Sequence, residues 1–344
     1  MTNVMAPAGA DLRADGLVIS APGGPEVLRW TPGLVLPVPA LDEVLIDVAW
    51  AGVNRHDCNQ RRRGPTPAHS DVPGLEVSGT VRWAGARAGH LRVGDAVCAL
   101  VDGGGYATRV VAPAALTFAV PPGLALREAA ALPEALFTVW HNFFGVAALG
   151  PGETVLIHGG TSGVGSLALQ LLGALGHRVA VTCGSAAKVA EARTLGAAAA
   201  FDYRTQDWVQ AALDWTDGRG VDVVLDMAGA AHAARNVQVL ARRGRLVHLS
   251  PGDGADFVAP LRPILAKELR ITGSLLRPLP LAEKALIAER LCAVALPLVA
   301  AGRVRPWVSE VFPLAEAAQA HARLESGQAM GKLVLEVPGI APRA

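Results

Sequence analysis

The residues with the clearest chemical signature lie between Glu153 and Val181, in the run ETVLIHGGTSGVGSLALQLLGALGHRVAV. Thr154 to His158 is a short, mainly apolar run suited to a strand buried on both faces. Gly160, Gly163 and Gly165 follow at once. Glycines there let the chain turn sharply, let backbone N–H groups approach a pyrophosphate, and let the next helix lie close on the strand. Gly160, Thr161, Ser162, Gly163, Val164 and Gly165 are therefore the expected phosphate cradle, with the helix dipole favouring negative charge. Leu167, Leu169, Leu171, Leu172 and Leu175 give the helix a broad apolar surface, Gly176 ends it, and Arg178 to Thr182 begins a second parallel strand. A glycine triplet alone is weak evidence. Strand, turn, helix and strand in succession form the context that dinucleotide binding requires.

Which dinucleotide binds is read at the end of that second strand. An acidic residue about 20 positions beyond the first glycines would hold the ribose hydroxyls of NAD, but the chain reads VTCGSAAK there. Ser185 and Lys188 offer a hydroxyl and an ammonium, and Tyr203 follows the next strand, a set suited to the 2′-phosphate of NADPH. Ser185 also reads as the cap of the helix that begins there; capping and phosphate binding are compatible uses of one serine.

The elements around this motif fall into two textures. Residues 1–14 read as a flexible tail. From Leu17 to about Pro122, short strands such as EVLIDVAWAGV, EVSGTVRWAG and DAVCALV are broken by Gly and Pro, as in an all-β unit. From Arg127 the chain turns to Ala-rich helix, and from Thr154 to about Ser274 strands and helices alternate as a doubly wound parallel sheet demands. AAAAFDY, VDVVLDMAG, GRLVHLS and LRITGSLL bring its strands to six. A helix over Leu281 to Ala301, the segment RPWVSEVFPL, a helix through Ala315 to Leu324 and GKLVLEV are expected to return to the β unit. The fold class is α/β, a Rossmann sheet plus a β-rich domain, with divisions expected at 1–14, 15–133, 134–280 and 281–344.

Composition narrows the function. The 344 residues suffice for two domains, and 51% hydrophobic content is ample for sizeable cores. A net charge of +1 gives no electrostatic reason to expect nucleic acid or an anionic membrane as partner. Cys58, Cys98, Cys183 and Cys292 lie far apart without a C-x-x-C pair, which argues against a disulfide framework and for a reduced compartment. The segment MTNVMAPAGADLRADG lacks the basic start and apolar core of a signal peptide, and no stretch reaches the roughly 18 uninterrupted apolar residues of a membrane span. A soluble cytoplasmic enzyme is expected.

The order of parts resembles a known family. APGGPEVL, NRHD, PGLEVSG, GD, GGGYA, HGGTSGVG and a closing GKLVLE are similar to the zinc-independent quinone oxidoreductases of the medium-chain dehydrogenase/reductase superfamily. Within that family, PEA-x-x-T, GSLLR and the serine and lysine after the second strand resemble the p53-inducible type. The resemblance covers nearly the whole chain. It implies a GroES-like catalytic domain, a Rossmann domain, NADPH in the cleft between them, and a homodimer. The substrate class that it implies is a quinone.

Aligned on these motifs, Asn54 stands at the first cysteine ligand of the zinc-dependent relatives, Leu75 at the histidine ligand, and Glu134 at the third. Catalytic zinc takes three protein ligands, and a leucine cannot be one. No cysteine lies between Cys98 and Cys183 to build a structural zinc lobe, so no metal is expected. His56, Cys58 and His69 would gather one only at an unfamiliar spacing. Without a Lewis acid, a quinone or α,β-unsaturated carbonyl, which spreads the incoming charge over its π-system, is an easier substrate than an isolated carbonyl.

Asn54 is then the candidate donor to the substrate oxygen or a ribose hydroxyl; the alternative is a turn asparagine satisfying local backbone. His56 aligns with a proton-relay position of zinc-dependent relatives. Either it protonates the reduced acceptor or it is a partly exposed histidine with no chemical role. Asp57 is expected to orient backbone or Arg55. By resemblance Thr138 approaches the nicotinamide, and Leu249, Leu275 and Leu276 line it. The p53-inducible type carries a tyrosine between Gln60 and Gly74, whereas QRRRGPTPAHSDVPG is shorter and has none. Arg61, Arg62 and Arg63 in that segment offer charge to an anionic substrate such as an acyl-thioester, or form a solvated loop face. An enoyl-thioester reductase and a catalytically weak NADPH-binding sensor or structural protein are the alternatives.

Overall fold

The computed structural model describes residues 11–65, 70–252 and 256–339. Contacts divide the chain into two compact units. One holds the chain to Glu134, Lys284–Ala300 and the residues from Pro306; the other holds Ala135–Glu283 and Ala301–Arg305.

In the first unit, β1 (Arg13–Ile19) pairs antiparallel with β2 (Leu28–Val35). β3 (Glu43–Gly52) is the spine of a seven-stranded sheet, and the contiguous Val44, Leu45 and Ile46 at its centre are buried on both faces. After β3 come α1 (Arg55–Arg63), β4 (Glu76–Ala84), β5 (Ala96–Leu100), β6 (Arg109–Pro113), β7 (Thr117–Ala119) and α2 (Leu126–Ala129). β4 and β6 both pair antiparallel with β3. α3 (Pro133–Trp140) carries the chain out of this unit.

The second unit runs β8 (Thr154–His158), α4 (Gly163–Ala174), β9 (Arg178–Cys183), α5 (Ala186–Thr194), β10 (Ala199–Asp202), α6 (Trp208–Trp215), β11 (Val221–Asp226), α7 (Ala233–Val239), β12 (Leu240–His248), α8 (Leu261–Lys267) and β13 (Arg270–Gly273). Its six strands are parallel and ordered β10-β9-β8-β11-β12-β13. This is the doubly wound Rossmann order, whose direction reverses between β8 and β11, where such sheets bind ligands. Leu156, Val224 and Leu246 from the sheet and the fully buried Trp208 from α6 share one core, each side chain contributing about 1.5–3 kcal/mol by leaving water. β13 is an edge strand with mostly exposed residues, and α8 buries none of its side chains.

The chain continues through α9 (Leu281–Arg290), a π-helical turn at Leu291–Ala295, α10 (Leu296–Ala300), β14 (Val308–Pro313), α11 (Ala317–Glu325) and β15 (Lys332–Glu336). β15 pairs antiparallel with β3 and parallel with β14, so these strands extend the first unit's sheet.

Two expectations change. Residues 1–10 of the expected tail lie outside the described residues, but Arg13 already opens β1 by pairing with Val35, and Ala14 is buried. The arginine triplet sits in the last turn of α1, and Arg61 points inward. Among the described residues, no helix is long and apolar enough to cross a membrane.

Candidate active site

The phosphate turn follows β8. Gly159, with φ of 74°, makes the left-handed turn that glycine adopts at least cost, one residue before the position the motif predicts. Gly160 does a different job: a Cβ there would lie 2.4 Å from the Cβ of Val181, so β9 packs against bare backbone. A Cβ on Gly165 would lie 2.3 Å from the Gly159 carbonyl oxygen, so α4 can begin this close to the turn only with glycine. Ser162 caps α4 by accepting the Gly165 N–H at 3.0 Å. Thr161 is buried. The N–H groups of Gly163 and Val164 head α4 ahead of its first intrahelical bond. A cradle that a Cβ would fill, facing a helix start, fits a pyrophosphate.

Behind the turn lies a polar row that no local pattern announces. His158 Nδ1 meets Thr182 Oγ1 at 2.8 Å, and its Nε2 meets Asn236 Oδ1 at 2.7 Å. Asn236 Nδ2 donates to Asp226 Oδ2 at 2.8 Å, and Asp226 Oδ1 accepts the N–H groups of Ala228 and Gly229. Burial holds His158 down at about 4, so the imidazole is neutral; Nε2 carries its hydrogen and Nδ1 accepts from Thr182. The row ties together the carboxyl ends of β9, β8 and β11, from which the ligand-facing loops leave.

At the ends of β9 and β10, Ser185 caps α5 by accepting the Lys188 N–H at 3.3 Å. Tyr203, 40% exposed, rests its hydroxyl against Gly184, where a Cβ would lie 2.6 Å from Tyr203 Oη. Gly184, Ser185, Lys188 and Tyr203 thus form one corner. At the other side of the switch point, a cavity of about 550 Å³ is lined by His248, Leu249, Ser250, Phe257, Ser274 and Leu275, among others. Leu249 and Leu275 are among these walls, whereas Leu276 is not. His248 Nε2 meets no partner among the described residues. Thr138 is buried on α3; its carbonyl accepts from Asn142 Nδ2 at 2.8 Å, and Asn142 Oδ1 accepts the Ser274 hydroxyl at 2.6 Å, linking α3 to the cavity wall.

In the β-rich unit, Asn54 ends the segment leaving β3 and is 9% exposed. Its amide donates to Glu76 Oε1 at 3.0 Å, and its oxygen accepts from Lys332 Nζ at 2.7 Å. Lys332 Nζ also bonds Glu76 Oε1, and Glu76 Oε2 accepts the Glu134 backbone N–H at 2.9 Å. Gly52 makes room for this cluster, since a Cβ there would lie 2.2 Å from Glu76 Oε1. The amide that sequence reading assigns to a substrate is therefore partly engaged, with one N–H that meets no partner among the described residues. Burial, reinforced by the Glu76 charge, pushes the Glu134 carboxyl up to about 8. Glu76 and Lys332 escape sequence reading as a pair.

Asp57 is fully buried and does not hold Arg55, which donates to the Leu324 carbonyl instead. Asp57 Oδ2 accepts the Asn54 N–H at 2.8 Å and the Tyr106 hydroxyl at 3.0 Å. Tyr106 Oη lies 3.1 Å from His321 Nε2, and His321 Nδ1 lies 3.2 Å from Arg61 Nη1. A guanidinium only donates, so His321 Nδ1 accepts and Nε2 carries the hydrogen. The chain is therefore directed: Arg61 to His321 to Tyr106 to Asp57. Burial, with Arg61 nearby, pushes His321 down to about 3, and burial pushes Asp57 up to about 7. Asp57 Oδ1 meets no partner among the described residues.

His56 is half-buried on α1. Cys58 is buried, its thiol pushed up to about 12 by that burial, and His69 lies outside the described residues. Among the described residues, no group of three or more His, Cys, Asp or Glu is placed to hold a metal ion.

A β-rich unit and a six-stranded Rossmann sheet in one chain, with a phosphate cradle and a buried polar cluster, define a two-domain oxidoreductase. Residues 40–122 match the family described as the alcohol dehydrogenase GroES-like domain, and residues 195–335 the family described as zinc-binding dehydrogenase. The chain is 30% identical over 317 residues to quinone oxidoreductase of Rattus norvegicus, covering 91% of this chain and 94% of the relative. It is 33% identical over 303 residues to a phenolphthiocerol/phthiocerol polyketide synthase of Mycobacterium tuberculosis, covering 87% of this chain and 14% of that protein. The crystal structure of Escherichia coli quinone oxidoreductase complexed with NADPH is similar at a TM-score of 0.81 and 28% identity, over 94% of this chain and 99% of that one. The chain belongs to the quinone oxidoreductase family of the medium-chain dehydrogenase/reductase superfamily.

Proposed function

We propose that this protein is an NADPH-dependent reductase that delivers hydride to a quinone or α,β-unsaturated carbonyl without a catalytic metal. One observation carries the metal-free reading. Where zinc-dependent relatives place ligands, this chain has a buried leucine, Leu75, and an asparagine, Asn54, bound into a Glu76–Lys332 ion pair. The lysine already neutralises the carboxylate, and the leucine supplies no lone pair.

When bound, NADPH supplies hydride at its nicotinamide ring. The chain's own residues hold and orient. Gly163 and Val164 present N–H groups to the pyrophosphate, with Gly160, Thr161, Ser162 and Gly165 shaping the cradle. Ser185, Lys188 and Tyr203 face the 2′-phosphate, which favours NADPH over NADH. Thr138, Leu249, Leu275 and Leu276 flank the nicotinamide. The free N–H of Asn54 serves the acceptor oxygen, where negative charge develops. His56 stands one helical position from Asp57, and its proton-donor role is sunk if His56→Ala leaves turnover unchanged across pH. The β13 edge, unpaired among the described residues, and the exposed Leu261 and Leu265 of α8 support a homodimer. Cys58, Cys98, Cys183 and Cys292 are all free thiols, which supports a cytoplasmic setting.

The test follows NADPH absorbance in the presence of chelator, with ortho-quinones, para-quinones and enones as acceptors and NADH in parallel. Chelator-resistant turnover that prefers NADPH is expected; chelator-sensitive turnover would sink the metal-free reading. An enoyl-thioester acceptor is the second reading, favoured by the similarity to a polyketide synthase. Faster reduction of acyl-thioesters than of free enones would select it. Tight NADPH binding with no turnover on any electrophile would point to a sensor or structural role.

A further inference from the structure

We infer that His248 reads the carboxamide of the nicotinamide ring, its Nε2 accepting an amide N–H. The inference rests on the NADPH reading above and names the residue that tells this ring from other flat rings.

The imidazole is held from several sides. His248 ends β12, and its carbonyl accepts the Ser274 N–H at 3.0 Å. Asp226 Oδ2 lies 3.4 Å from His248 Nδ1. Asp226 already accepts from the Ala228 and Gly229 N–H groups at Oδ1 and from Asn236 Nδ2 at Oδ2. It acts only as an acceptor, so in the neutral imidazole it draws the hydrogen to Nδ1, as a carboxylate behind a ligand-binding histidine does. Phe257 meets the ring edge-on, with centroids 5.4 Å apart and planes at 76°. Nε2 then holds a lone pair. It is buried and meets no partner among the described residues. A buried acceptor without a donor is costly, and a ligand that brings an N–H is favoured by that cost.

The cavity that His248 lines is built wholly from residues of the Rossmann unit. Leu249, Phe257, Leu275 and Pro278 offer apolar surface to the faces of a ring. The Ser274 hydroxyl is engaged by Asn142 Oδ1. Ser250 Oγ accepts the Gly252 N–H at 3.1 Å, and its own hydrogen meets no acceptor among the described residues. The wall therefore presents one acceptor, His248 Nε2, and one donor, the Ser250 hydroxyl. That pair is the complement of a primary carboxamide, which brings an N–H and a carbonyl oxygen. A quinone or enone brings acceptors alone, and a lone pair at Nε2 repels it. The chemistry selects the cofactor's ring for this cavity over the acceptor's.

The test is a binding titration that needs no turnover. Intrinsic fluorescence follows the wild type and His248→Phe with NADP⁺, with its 3-acetylpyridine analogue, in which a methyl group replaces the amide nitrogen, and with 2′,5′-ADP, which lacks the nicotinamide end. Phenylalanine keeps a flat ring and removes both nitrogens. The wild type should bind NADP⁺ about 3- to 10-fold more tightly than the analogue, the worth of one hydrogen bond. In His248→Phe that preference should vanish through weaker NADP⁺ binding, with 2′,5′-ADP affinity unchanged. His248→Leu gives the same comparison should the phenylalanine variant fail to fold, and the wild-type comparison needs no variant. Equal wild-type affinities for NADP⁺ and the analogue, or a preference that survives the loss of the imidazole, would overturn the role of His248 and leave the cofactor reading standing. A wild type that binds neither NADP⁺ nor 2′,5′-ADP would overturn the cofactor reading itself, and the role of His248 with it.

Discussion

Buried titratable side chains set how this protein's stability responds to pH. His158 and His321 are held neutral, at about 4 and about 3 against an ordinary 6.5. Their contribution is present above 6.5 and lost as pH falls through those lower values. Asp57 and Glu134 run the other way, raised from 3.8 to about 7 and from 4.5 to about 8. Their contribution is present at low pH and lost as pH rises through 7 and 8. The two trends oppose each other between 4.5 and 6.5, and only the carboxyls act above that. Urea melts should therefore show stability declining from pH 6.5 to 8, and Glu134→Gln should flatten the slope; a flat wild-type profile would contradict both assignments. Lys332→Met leaves Glu76 buried and unpaired and should cost about 3–5 kcal/mol, whereas the double variant with Glu76→Gln should recover part of that loss in the same melts. The glycine turn is legible in sequence because its chemistry is tied to local spacing. The Glu76–Lys332 pair spans 256 residues and Tyr106–His321 spans 215, separations at which no local pattern survives.

The same distinction holds for elements. Alternating strands and helices mark the Rossmann unit because each element must bury a continuous apolar face. α1 hides its face: its buried residues are Asp57, Cys58, Gln60 and Arg61, mostly polar groups satisfied by distant partners, so apolar periodicity reads the arginines as loop. Within the phosphate turn, space decides which glycines are required. Gly160→Ala places a Cβ 2.4 Å from Val181, so it should cost about 1–3 kcal/mol through overpacking and weaken NADPH binding. Gly173, exposed inside α4, has nothing within 4 Å of a built Cβ. Gly173→Ala should therefore stabilise by about 0.5–1 kcal/mol and leave NADPH binding alone. Thermal midpoints and fluorescence titrations of the two variants check the contrast; equal effects would mean that helix propensity, not close packing, governs the turn.

For the whole molecule, the β13 edge, unpaired among the described residues, and the apolar residues of α8 are the surface expected to meet a second copy. Light scattering should give a dimer for the wild type and a monomer for Leu261→Glu with Leu265→Glu; a variant that stays dimeric would move the interface elsewhere. The two-unit layout was legible from its changing texture, but the cluster that β15 completes was not, because β15 reads from sequence as an ordinary strand. That layout also dictates an order of events during synthesis. The Rossmann unit has all its segments once Arg305 is made. Glu76, by contrast, awaits a lysine 256 residues downstream, which at about 5–20 residues per second means on the order of ten to fifty seconds on the ribosome. Through that interval β3 lacks its β15 neighbour and the Glu76 carboxylate its counter-ion. The Rossmann half is therefore the first that a nascent chain can close, and the half that bears Asn54 and Glu76 is the one left open until β15 emerges.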